Sequence, residues 1–242
     1  MFDRSTLLTE LETLPTSHRV AFAASCTERL LPDYLAFTIV EQWGDWHIIR
    51  KGLDLAWKYL LDSSLSPDLI HDLIDKCAKQ APHSYLFPSH FARLALHAVE
   101  AVCSTLYCCL DGEASHAALV GEQATDALDT YLSWTCSPYL NSAEEVESLK
   151  GLNTDTTTIE FATEHSKQLI SEIELRQNRL IHWMWQSPLM LAELERQHQE
   201  IEFLRHNPQL DPNTVNKLRN EANRGGIRLQ ARGLLPTHQA LT

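Results

Sequence analysis

The chain has 242 residues, a formal net charge of −12, 44% hydrophobic and 21% charged residues, and six cysteines. That length and mix suit one globular domain that buries enough apolar surface to fold without disulfides or metal. They exclude a disulfide scaffold, a collagen-like repeat and a low-complexity disordered chain.

The elements follow in chain order. Leu7, Leu8, Leu11 and Leu14 stand at helical spacing until Pro15 interrupts. A second helix is predicted over 16–31, with Val20, Ala21, Ala24 and Leu31 on one side. Pro32 suits the first turn of a third helix, where no N–H is needed, and Gly44 can close it in the left-handed conformation. Asp45 is an N-cap for a fourth helix whose stripe is Trp46, Ile49, Leu53, Ala56, Trp57 and Leu60. Ser66-Pro67 and Pro88-Ser89 open two more, and Gly112 stops the second of these. Another helix continues to about Trp134.

Residues 135–157 break any period and read as a connection, with 142–149 as a possible short helix. A long helix is predicted next, with Leu169, Ile173, Leu180 and Met184 in register. Ser187-Pro188 starts a helix to about His206, 207–213 is a loop, and Gly225-Gly226 ends the last helix. The tail beyond Gly233 is predicted to be disordered. The expectation is an all-α, single-domain bundle of about nine or ten helices. It comprises a bundle over 1–206 and, over 207–242, a loop, a short helix and a basic tail packed on or trailing from it.

Cys26, Cys77, Cys103, Cys108, Cys109 and Cys136 form no C-x-x-C pair, the usage of buried thiols in a reducing compartment. The start of the chain shows no signal-peptide pattern. The apolar stretch 91–110 carries Arg93, His97 and Glu100, which favours a buried helix over a membrane span. A cytoplasmic protein without membrane contact is therefore expected. Charge is uneven: residues 1–216 hold 15 of the 20 basic groups and 31 of the 32 acidic ones, a formal −16. An acidic body repels nucleic acid and attracts basic partners, and the basic segment 217–232 is expected to dock on it.

No motif establishes a reaction. Glu-x-x-His occurs at Glu113–His116 and Glu195–His198, but with 19 glutamates and 12 histidines about one such pair arises by chance. The second pair also lies in a polar stretch, 195–200, that reads as solvated. His90 and His97 share a helix face without an evident third zinc ligand. Cys108-Cys109 reads as packing, since adjacent cysteines pair only with strain. No glycine-rich phosphate loop or nucleophile elbow is present. No metal and no cofactor are expected. Trp183 and Trp185 offer an aromatic patch for a partner.

Residues 14–61 carry Leu14, Val20-Ala21-Phe22, Cys26, Glu28-Arg29, Pro32, Tyr34, Phe37, Gly44-Asp45, Arg50, Asp54 and Trp57. In order and spacing this block resembles the start of the YjaG-like family of bacterial helical proteins of unknown function. Looser likenesses cover 85–134 and 200–229. The resemblance implies an all-α fold and brings no catalytic residues.

Two functions are expected to compete. One is a non-catalytic protein-binding protein of the immunity or antitoxin type that neutralises a basic toxin such as a nuclease, with Trp183 and Trp185 at the contact. The other is a small-molecule enzyme or ligand-binding protein built on Glu28, Arg29, Asp45, Arg50 and Asp54, beside Trp57.

Overall fold

A computed structural model describes residues 4–62, 64–140 and 181–225, together with Leu175 and Asn178. The described elements are α1 (Arg4–Glu12), α2 (Thr16–Glu41), α3 (Trp46–Tyr59), α4 (Pro67–Ala78), a 3-10 turn (Ser84–Leu86), α5 (Phe91–Asp111), α6 (Ala114–Leu140), α7 (Pro188–His206) and α8 (Pro212–Gly225). Residues 181–185 are also helical. No strand occurs among the described residues, so the chain is all-α. The predicted 142–149 helix, most of the predicted long helix before Ser187 and the predicted disordered tail lie outside the described residues.

α2 is the axis of the bundle. Every residue from 20 to 31 is buried, the mark of a helix packed on all sides. α5 lies antiparallel against it: Arg19 Nη1 donates to the Gly112 carbonyl at 2.8 Å, Thr27 and Thr105 hydroxyls meet at 2.8 Å, and Glu41 Oε1 accepts from Ser89 N at 3.0 Å. α6 turns back along α5; α1 packs on α6; α3 and α4 cover α5; α7 and α8 close against α2. α5 is long and apolar enough by length and composition to cross a membrane, and no other helix among the described residues is. Here its faces are covered by α2, α3, α4 and α6.

One predicted boundary is corrected. Pro32 lies inside α2 and does not begin a new helix. A mid-helix proline costs about 3 kcal/mol. Burial of Leu30, Leu31, Tyr34 and Phe37 on both sides of it outweighs that. The left-handed residue that ends α2 is Gln42, at φ 53°, rather than Gly44. Gly44 is left-handed too (φ 86°), and a Cβ there would lie 2.5 Å from the Tyr34 hydroxyl.

Other punctuation stands where the residues put it. Asp45 accepts from His47 N at 2.8 Å and Ser187 from Met190 N at 3.2 Å, each capping its helix. Gly112 ends α5 at φ 71°, with Thr16 Cγ2 2.7 Å from where a Cβ would sit.

Candidate functional site

Glu28 and Arg29 are successive residues of α2, about 100° apart around the helix. Because α2 is enclosed, each must find a counter-charge inside the protein, and they find different ones. Glu28 faces α3 and α8. Its carboxylate takes both terminal nitrogens of Arg50, that of Nη2 at 3.0 Å, and accepts from Trp57 Nε1 at 2.7 Å. Arg50 also reaches Asp54 Oδ1 from Nη2 at 2.9 Å. Arg219 of α8 donates to the same Asp54 oxygen, lies 4.0 Å from Glu28 and stands 5.8 Å over the Trp57 ring. Two carboxylates thus meet two guanidiniums. Burial alone would lower Arg50, but its hydrogen bonds and charge contact with Glu28 outweigh this and hold it above its ordinary value.

Arg29 faces α7. Its Nη2 donates to Glu193 Oε1 at 2.8 Å and its Nη1 to Glu200 Oε1 at 2.5 Å. Ser25 Oγ donates to Glu200 at 2.6 Å, and Gln197 Nε2 to Glu193 at 3.2 Å and to the Gly121 carbonyl at 3.1 Å. All five side chains are buried. Burial opposes the charge on Arg29, but Glu193 and Glu200 raise it well above its ordinary value. Burial pushes the adjacent Cys26 thiol well up, which disfavours its thiolate.

The structure therefore divides the sequence-nominated group. Glu28, Arg50, Asp54 and Trp57 come together; Arg29 belongs to a separate network; Asp45 is a helix cap. Trp183 is 51% exposed and Trp185 half-buried, on the short helical run before α7. Sequence reasoning missed Glu193, Gln197, Glu200 and Arg219. It read 195–200 as solvated, and that is corrected: Glu195 and His198 are exposed, but Gln197 and Glu200 are buried. The available signal was Glu193, Gln197 and Glu200 at i, i+4 and i+7, which share one helix face.

Among the described residues, one pocket lies outside these networks and a second borders the Arg29 network at Glu200. One, of about 440 Å³, sits between α5 and α6 and is lined by His90, Arg93, His97, Asp126, Asp129 and Trp134, with the hydroxyls of Thr130 and Ser133. His97 Nδ1 meets Gln123 Oε1 at 2.5 Å and its Nε2 meets Thr130 Oγ1 at 3.3 Å. His90 stacks on Trp134 at 4.8 Å. Burial pushes the Asp126 and Asp129 carboxyls up, against pull-down by His97 and, for Asp129, Arg93. The other, of about 420 Å³, lies between α7 and α8, with Arg196, Phe203, Lys217 and Arg224 beside Glu200 and Glu221.

Among the described residues no three His, Cys, Asp or Glu side chains are placed to hold a metal ion. The Glu113–His116 pair is open: both residues stand outside the core, and His116 Nε2 meets Asp111 at 3.0 Å. Cys108 and Cys109 are free thiols.

These features define a single-domain helical bundle whose interior charges are arranged in two ion-pair networks. Residues 6–228 match the family described as "Protein of unknown function (DUF416)", and the chain belongs to that family. It is also similar to the crystal structure of a DUF416 family protein from Shewanella baltica OS155, with a TM-score of 0.66 at 18% identity. That match covers 90% of this chain and 94% of the other, and at that identity it shows the fold alone. No curated protein matches the chain.

Proposed function

We propose that this chain is a non-catalytic cytoplasmic binding protein of the immunity or antitoxin type, whose partner is a basic protein such as a toxin nuclease. The observation that carries the reading is the pairing of the charges a reaction would use. Glu28, Arg29, Arg50 and Asp54 are bound to one another or to Glu193, Glu200 and Arg219, so that cluster holds no uncommitted acid or base. The acidic body supplies long-range attraction for a basic partner, and exposed Trp183 supplies a contact of the kind that anchors interfaces. The YjaG-like grouping within the family rests on the 14–61 block.

The test is co-expression with the proteins encoded beside the gene. A neighbour that arrests growth alone and is tolerated with this chain supports the reading. If each neighbour is harmless, or if toxicity persists in the presence of the folded chain, the reading is lost.

A further inference from the structure

The pocket between α5 and α6 is built differently from the two ion-pair networks. There, carboxylates are matched by guanidiniums. Here, Asp126 and Asp129 stand one turn apart on α6, partly desolvated, with no hydrogen bond or ion pair to another described residue. His97 is committed to Gln123 and Thr130, and His90 to the face of Trp134. Arg93 lies at the exposed rim. Among the described residues, the charge left over in the pocket, two aspartates against Arg93, is net negative. Glu100 and Glu122 add to the negative field at Asp126, Glu122 while tied to Arg4 at 3.1 Å. Two half-desolvated carboxylates, with Arg93 acting on Asp129 alone, are costly to keep ionised, and a cation that enters the pocket relieves that cost.

The lining selects the kind of cation. A metal ion wants several ligands converging on one point, and no such group is found among the described residues. An ammonium or guanidinium group can bridge two separate carboxylates while its alkyl chain lies along an indole. The volume, about 440 Å³, suits a small molecule or one side chain. We propose that the pocket between α5 and α6 binds a small organic cation, an ammonium or guanidinium group on a short alkyl chain, with Asp126 and Asp129 as its counter-charges and the stacked His90–Trp134 pair as its wall. The site stands whether or not a toxin partner exists, because a free amine and a partner's Lys or Arg side chain present the same group.

Calorimetric titration of the full chain with 1,4-diaminobutane, with butylguanidine and with a short alanine peptide carrying one lysine tests this. Saturable binding of at least one probe at one equivalent is expected. The D126N/D129N double variant, with helix content checked by circular dichroism, should bind at least about tenfold more weakly. Arg93→Ala, which removes a competing cation, should bind more tightly, and Asp62→Asn, on the exposed turn after α3, should be unchanged. Tighter binding of the peptide than of the free amines assigns the group to a polypeptide; the reverse assigns it to a free metabolite. Absence of saturable binding by all three probes at millimolar concentration, or equal affinity in D126N/D129N, overturns the proposal. Neither result bears on toxin rescue, so the two readings fail separately.

Discussion

Glu28 and Arg29, neighbours on α2, never share a partner: Glu28 is held by Arg50 and Trp57, Arg29 by Glu193 and Glu200. One peptide unit thus ties α2 to α3 and α8 on one side and to α7 on the other. These pairs join particular helices across the apolar core.

Removal of Arg29 leaves two buried carboxylates without their cation. Arg29→Ala is expected to destabilise the protein by about 3–5 kcal/mol, the range for one partner removed from a buried pair. Equilibrium urea unfolding measures it. A loss as small as that of an exposed pair such as Lys76–Asp72 would show that α7 is not held by this network.

Arg219 is the long-range tie of α8, but it and Asp54 are both substantially solvated. Arg219→Ala should cost only about 0–1 kcal/mol, because water screens such pairs. The local effect should be larger than the global one: Trp57 loses the guanidinium over its ring, and its fluorescence should change. Hydrogen exchange along α8 should speed while that of α2 does not.

Asp126 and Asp129 give a pH dependence with a definite sign. Their carboxyls are raised in the folded protein above the ordinary 3.8, chiefly by burial. The folded state then holds protons that the unfolded state has released. The stability they contribute is full below 3.8 and is lost as pH rises through the higher folded value. Asp126→Asn and Asp129→Asn should therefore raise Tm at neutral pH, and the gain should vanish as pH falls toward 3.8. Thermal melts of each variant across that window decide it. A gain that grows on acidification contradicts the assignment.

The thiols should be inert in the folded state. Burial pushes Cys77, Cys103 and Cys108 up to about 12 and Cys109 higher still. Alkylation at mildly alkaline pH followed by peptide mass mapping should leave Cys26, Cys77, Cys108 and Cys109 unmodified until denaturant is added. Rapid native labelling of Cys108 or Cys109 would contradict their burial in the core.

Much of the fold was legible because its signals are local. Asp45 and Ser187 cap helices through bonds to residues two or three positions away, and Gly112 stops α5 by its own backbone. Pro32 misled because its local cost is real and is outweighed by burial of Leu30, Leu31, Tyr34 and Phe37 against partners that no local window contains. The charge networks were half-legible. Arg50 and Asp54 lie one turn apart, whereas Arg29 meets Glu193 across 164 residues and Arg219 meets Asp54 across 165. The α5–α6 pocket was visible only as two histidines on one face; the facing carboxylates became part of it when α6 turned back along α5.

The most direct test of the central claim, that this chain acts by binding a basic protein, is light scattering on the chain purified together with each neighbour-encoded protein, at low and high salt. A complex of fixed stoichiometry with a basic neighbour, weakened as salt rises, is expected. A chain that elutes alone beside every neighbour, or a complex indifferent to salt, would contradict it.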